Sequence, residues 1–289
     1  MKNIIIGTTS INRPQLHNTN ISEWYNWINS VDKSQYNLKW FINIDYIEKL
    51  KVSVEETQKN YESLIKQIPL KFLNSGGEKG NFLKACQRVS SNIESYILEN
   101  NYNDDDCIII WLEDDWKLKN ENIPLQELIE NYLGNLSYIN LSYIRANYIH
   151  ALAPSIISYG LWKKLHLEAW KNQKNHIDPE HCVGLYFLKN FMKYEELTNI
   201  TIINQYKKIN KDFFNQGFMN NEKSYYTYDV TNENNIINNK YIKKEECKEF
   251  VKDKIIFYRI TCSSCNDIGR KYMESLELIK DNKKKNFYD

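Results

Sequence analysis

Long apolar runs are missing from this 289-residue chain. The longest, Cys107 to Leu112, has the length of a strand, whereas a membrane-crossing helix needs roughly 20 apolar residues. Met1-Lys2-Asn3 leads straight into Ile4-Ile5-Ile6, without the charged, apolar and small-residue regions of a signal peptide, so the expectation is a cytoplasmic protein with no membrane span. Cysteine is too sparse, at six residues, for a disulfide scaffold. Cys262-Ser-Ser-Cys265 lacks the second pair of Cys or His that a structural zinc site requires, and reduced thiols are expected. There is no Walker loop, GxGxxG or HExxH motif. Net charge is also nearly absent, at +1, which removes the basic excess that nucleic-acid partners demand.

A hydrophobic share of 42% and an aromatic share of 13% are enough to bury a core and argue against disorder. The richness in Asn, Ile, Lys and Tyr matches an AT-rich codon usage, so motifs built from Asn or Tyr alone carry no weight.

The chain alternates in type. Ile4 to Ile6, followed by Gly7-Thr8-Thr9-Ser10, reads as a buried strand entering a small-residue loop, and Leu38 to Ile44 as a second strand closed by Asp45. Between them Ile21, Trp24, Tyr25, Ile28 and Val31 fall on one helical face. Val54 to Ile68 is a further amphipathic stretch. The loop from Ser75 to Gly80 leads into a helical stripe of Phe82, Cys86, Val89, Ile93 and Ile97. Cys107 to Leu112 is apolar on both faces, as in the middle of a parallel sheet. Leu136 to Ile144 and Ile149 to Ser158 read as strands, the second placed at an edge or bulge by Pro154. Helices are expected over Tyr159 to Trp170 and Val183 to Tyr194. Later, Ile200 to Asn204 and Ile255 to Ile260 are candidate strands. The fold class expected is α/β, a doubly wound, mostly parallel sheet flanked by helices. Residues 1–195 form the main domain and 196–289 a C-terminal extension packed on it.

Glu113-Asp114-Asp115 follows directly on the buried Cys107 to Leu112 strand. Ligands of open α/β sheets bind outside the carboxyl ends of the strands, so these acids stand at the mouth of the expected crevice. Adjacent carboxylates repel one another unless a cation sits among them, and Mg²⁺ or Mn²⁺ suits oxygen ligands while leaving room for phosphate and water. A solvated acidic turn is the plain alternative.

The run Ile108-Ile-Ile-Trp-Leu-Glu-Asp-Asp-Trp116 resembles the strand and DxD-type signature of GT-A nucleotide-sugar glycosyltransferases, particularly those related to family 2. The resemblance covers residues 3 to 195 and includes IIIGTTSINRP, FINID and GGEKGNFLKACQRVSSNIESYI. It implies a GT-A-like fold, a metal held by Asp115 and Glu113, and nucleotide or donor contacts from Thr8, Thr9, Arg13, Asp45, Glu113 and Asp114. Lys79, Asn81 and Arg88 lie on or near the loop entering the Phe82 helix, whose N–H groups suit phosphate. Glu stands first in the signature and Asp in its middle, which leaves open which acids touch the metal. A general base is implied at Asp178 or Glu180 near the start of the acceptor-side helix, although Asp178 before Pro179 is also a natural N-cap. His181 becomes an additional metal ligand if the transfer is retaining.

The function expected is a metal-dependent glycosyltransferase that moves a sugar, with inversion, from a nucleotide-sugar donor, first of all a UDP-sugar, to a carbohydrate or other hydroxyl acceptor. The alternatives are a nucleotidyltransferase and a non-catalytic nucleotide- or sugar-binding protein of the same fold. A paired-carboxylate glycosidase, indifferent to metal removal, is weaker.

Overall fold

The computed structural model describes residues 1–76, 80–118, 124–134, 136–141, 152, 154–171, 173, 179–180, 182–183, 186, 256–259 and 265–275. Seven strands among them make the main sheet: β1 (Lys2–Ile11), β2 (Tyr36–Asp45), β3 (Leu70–Asn74), β4 (Cys107–Glu113), β6 (Ser137–Asn140), β7 (Ser155–Ser158) and β8 (Ile256–Arg259). Their spatial order is β3-β2-β1-β4-β7-β6-β8. Pairing is parallel from β3 through β4 and between β6 and β8, while β7 runs antiparallel to both β4 and β6. A separate two-stranded ribbon pairs β5 (Trp116–Leu118) antiparallel with β9 (Cys265–Asp267).

Burial on both faces explains the unbroken apolar runs of β1 and β4. Beyond the short helix α1 (Pro14–His17), Ile4 and Ile6 join Ile108, Ile110 and Leu112 against α2 (Ile21–Asn29), α3 (Val54–Leu64) and α5 (Leu125–Tyr132). Ile5 joins Phe41, Ile109 and Trp111 on the opposite face, under α4 (Phe82–Glu99) and the helical segments α6 (Tyr159–Trp162) and α7 (Glu168–Lys171). Five π-helical residues, Lys163–Leu167, connect those two segments. Gly7 sets the approach of α4: a Cβ there would stand 2.9 Å from Val89 Cγ1 and 3.1 Å from Trp111 Cε3. The helix α4 starts at Asn81, whose side chain accepts from Lys84 N at 3.0 Å. It ends at Asn101, with φ 54°, where Tyr102 N donates to Ile97 O at 3.1 Å, closing the turn in a left-handed cap.

The α/β reading stands, with two differences. Leu70–Asn74 is a strand that the sequence pattern does not announce, because at the sheet edge it is only half-buried and lacks a clean apolar face. The second half of the sheet is not an edge. β7 lies between β4 and β6, and Pro154 stays just outside it, offering only its carbonyl, to Leu141 N at 2.9 Å. The candidate strand at Ile200 to Asn204 lies outside the described residues. Among the described residues no helix is long and apolar enough to cross a membrane.

Candidate functional site

The chain passes outward from β1 to β2 to β3, then returns to the other side of β1 to form β4. Connections leaving β1 and β4 therefore diverge, and a crevice opens between their carboxyl ends, the position where ligands bind in such sheets. Glu113 is the last residue of β4, in register with Thr9 of β1, which is in turn in register with Asn43 of β2. Strand alternation puts all three on the α4 face, together with Asp45.

Arg88 reaches that row from α4. Its Nε donates to Asn43 Oδ1 at 2.8 Å and its Nη2 to Asp45 Oδ1, while Asn43 Nδ2 also donates to Asp45 Oδ1 at 2.9 Å. The second carboxylate oxygen of Asp45 accepts from Asn81 N at 3.0 Å. Asp45 is sealed from solvent, whereas the Arg88 side chain keeps 25% of its exposure. Asp45, Asn81 and Arg88 are thus brought into one cluster, in which Asp45 is enclosed while Asn81 and the Arg88 side chain stay partly exposed.

The three acids after β4 have three different surroundings. Glu113 is half-buried and its Oε2 accepts from Trp116 Nε1 at 3.0 Å. Asp115 keeps 26% of its side-chain exposure and lies 3.1 Å from Arg13 Nη2. Asp114 turns to the α2/α3 side, where Ser10 Oγ, Ile11 N and Arg13 Nε donate to its Oδ2 at 2.9, 3.2 and 3.0 Å, and Arg13 Nη2 donates to Oδ1. His17 Nε2 lies 3.1 Å from the same Oδ2; since a carboxylate only accepts, that nitrogen carries the proton. Tyr61 Oη donates to Ser10 Oγ at 3.0 Å and completes the buried network.

Burial raises the Asp114 pKa, but the Arg13 charge and the hydrogen bonds from His17 and Arg13 outweigh it and hold the carboxyl well below the usual range. Burial works against the Arg13 charge, and Asp114 and Asp115 more than restore it, so its pKa stands above the ordinary value. The backbone of the turn is fixed as firmly: Asp114 N donates to Thr9 O at 3.1 Å, Asn20 Nδ2 donates to Asp114 O, and Trp24 Nε1 donates to Trp116 O at 2.6 Å.

Thr8 lies one register step below, fully buried, its Oγ1 accepting from Trp40 Nε1 at 2.8 Å. Thr9 is 6% exposed. Among the expected contacts, then, Thr8, Thr9, Arg13, Asp45 and Asp114 are enclosed, while Asn81, Arg88, Glu113 and Asp115 stay partly exposed at the carboxyl end of the sheet. Lys79, Asp178 and His181 lie outside the described residues.

Glu180 Oε1 accepts from Leu152 N at 2.7 Å. Just before it, Pro179 O accepts from Trp170 Nε1 at 3.1 Å, and the Trp170 ring lies 5.6 Å from that of Trp111, two residues before Glu113 on β4. This path ties Glu180 to the α4 face of the sheet.

Sequence reasoning passed over Ser10, His17, Asn20, Asn43 and Tyr61. Only Asn43 carried a readable signal, since it sits two residues from Asp45 on a strand and so shares its face. Ser10, His17 and Asn20 reach Asp114 across 94 to 104 residues of chain, and Tyr61 reaches Ser10 across 51, which no local pattern reveals.

Among the described residues no three His, Cys, Asp or Glu side chains are grouped to hold a metal ion. The carboxylates at the turn that keep partial exposure are Glu113 and Asp115, and a Mg²⁺-type ion that keeps water and substrate phosphates as ligands needs only one or two protein carboxylates. The donor set fits an ion that binds together with a phosphate ligand.

No family model and no curated protein matches the sequence. Among solved structures the chain is similar to S. aureus TarS 1–349, at 12% identity and a TM-score of 0.41, over 64% of this chain and 56% of that one. It is similar to the galactosyltransferase LgtC in complex with donor and acceptor sugar analogues, at 10% identity and a TM-score of 0.36, over 75% of this chain and 81% of that one. It is also similar to 4-diphosphocytidyl-2C-methyl-D-erythritol synthase, at 13% identity and a TM-score of 0.37, over 63% and 84%. The alignment spans little more than half of the TarS 1–349 chain.

Proposed function

We propose that the protein is a metal-dependent, GT-A-type glycosyltransferase that moves a sugar from a nucleotide-sugar, a UDP-sugar in the first place, to a hydroxyl acceptor. The observation that carries this reading is the acidic turn Glu113–Asp115 at the switch point between β1 and β4, pinned by Arg13, Asn20 and Trp24, with Glu113 in register through Thr9 with Asn43 of the Asn43–Asp45–Arg88 cluster.

Each part of the opening suits one part of such a donor. Arg88, oriented by two buried acceptors, offers a fixed cation to the nucleotide. The α4 N-terminus beside Asn81 adds a favourable dipole for a diphosphate. Glu113 and Asp115 would hold Mg²⁺ or Mn²⁺, which supplies Lewis-acid stabilisation of the departing nucleoside diphosphate. Arg13, locked to Asp114, keeps the adjacent acids from repelling each other apart and so preserves their arrangement. For an inverting transfer a carboxylate must take the acceptor hydroxyl's proton as the new glycosidic bond forms. Glu180, tied to the α4 face through Trp170 and Trp111, and Asp178 are the two proposed bases.

The test is product analysis after incubation with UDP-, GDP-, CMP- and dTDP-sugars, a panel of sugar acceptors and Mn²⁺. Free nucleoside diphosphate together with a glycosylated acceptor supports the reading. Pyrophosphate release from a nucleoside triphosphate and a sugar phosphate identifies a nucleotidyltransferase instead. Absence of both, with no nucleotide binding, leaves a non-catalytic role.

A further inference from the structure

The C-terminal stretch 265–275 does not lie apart from the crevice. β9 pairs with β5, the strand that leaves the acidic turn, in the register Trp116 to Asp267, Lys117 to Asn266 and Leu118 to Cys265. Immediately after it, Ile268 N donates to Asp115 O at 2.7 Å. The helix that follows, α8 (Gly269–Ser275), then runs over the carboxyl end of β1, where buried Met273 packs with Ile11 and Ile47. Gly269, the first residue of α8, touches the Asp115 side chain so closely that a Cβ built on it would stand 2.7 Å from Asp115 Cγ and nearer still to Asp115 Cβ and Oδ2. Distances below 3.0 Å are ones that real Cβ atoms essentially never show, and here the atoms met belong to a short side chain whose carboxylate also lies 3.1 Å from Arg13 Nη2.

We propose that Gly269 is a positioning residue for Asp115, and that the β9–α8 unit is thereby a wall of the nucleotide site. On the proposed glycosyltransferase reading, the backbone of 268–269 and the guanidinium of Arg13 grip Asp115 from two sides, and the absence of a side chain at 269 sets where its carboxylate stands. Any larger residue at 269 moves either Asp115 or α8.

A double-mutant cycle tests the contact on the full chain. Gly269→Ala, Asp115→Gly and the double variant are compared with wild type by urea denaturation. Asp115→Gly removes the three atoms nearest to the new methyl. The expected result is that Gly269→Ala lowers the unfolding midpoint in the Asp115 background and lowers it much less, or not at all, beside Asp115→Gly. Equal losses in both backgrounds overturn the proposal. If Gly269→Ala alone fails to fold, a folded double variant gives the same support and an unfolded one the same refutation.

The consequence for the site is read by calorimetry with UDP. Gly269→Ala is expected to weaken UDP binding in Mn²⁺ about tenfold, as loss of a residue supporting a metal ligand does, while leaving UDP binding in EDTA unchanged. An unchanged affinity in Mn²⁺, or an equal loss in EDTA, removes Gly269 from a positioning role. Wild-type protein that binds no UDP in either condition counts against the nucleotide reading itself, and the denaturation cycle then still decides the contact.

Discussion

Asp114 and Asp115 are adjacent in sequence and opposite in circumstance. Asp114 is enclosed by Ser10, Arg13 and His17, whereas Asp115 keeps about a quarter of its surface. Replacing Asp114 by Asn takes from the buried Arg13 guanidinium the nearer of its two carboxylates, leaving only the more exposed Asp115 at 3.1 Å, and breaking a buried pair costs up to about 3 to 5 kcal/mol. Urea denaturation of Asp114→Asn is therefore expected to show a large stability loss, while Asp115→Asn, with a more exposed carboxylate and a longer contact to Arg13, shows a small one. His17 gives the same cluster a pH signature. Burial lowers its pKa below the ordinary value, outweighing the hydrogen bond and charge of Asp114, which raise it. Above about pH 6.5 the ring is neutral folded and unfolded, and the stabilisation is complete. As the pH falls from there towards the folded pKa, the unfolded chain takes up a proton that the fold refuses, and stability is lost. His17→Gln keeps a donor towards Asp114 without titrating, so the drop in unfolding midpoint between pH 7.5 and 5 is expected to be smaller in the variant than in wild type.

At the scale of elements, α4 links fold and site. It packs against β1 over Gly7, and it presents both the Asn81 cap and Arg88 to the crevice. Asn81→Ala removes the side-chain acceptor for Lys84 N and is expected to cost about 1 kcal/mol of stability in denaturation. Gly7→Val places branched carbon against Val89, Ile93 and Trp111, and an overpacking cost of about 1 to 3 kcal/mol is expected by the same measurement. Elements of this kind were legible in the sequence because their periodicity is set by burial. Ile4 to Ile6 and Cys107 to Leu112 are apolar on both faces since helices cover both, and the Phe82 to Ile97 stripe follows one helical face. The half-buried edge strand Leu70–Asn74 has no such pattern, and Pro154, which suggests an edge or bulge for the run Ile149 to Ser158, stops short of β7, which lies inside the sheet. The acidic turn was visible as three charges, but the inward turn of Asp114 depends on Arg13 and His17, about a hundred residues away, and was not.

For the molecule as a whole, the described C-terminal strands are tied back into the N-terminal half: β8 extends the main sheet beside β6, and β9 pairs with β5. The near-neutral chain, at +1, gathers carboxylates at one sheet switch point with Arg13 and Arg88 paired to them, and on the proposed reading this is its functional charge. That distribution suits a small anionic ligand bridged by a cation better than an extended polyanion. The most direct measurement is calorimetric titration of UDP into wild type and Asp115→Ala, each with Mn²⁺ and with EDTA. A nucleotide-sugar site built on this turn predicts that wild type binds UDP more tightly in Mn²⁺ than in EDTA, and that Asp115→Ala abolishes the difference while keeping its fold. Binding of UDP by Asp115→Ala with an undiminished response to Mn²⁺, or no binding by wild type in either condition, would contradict it.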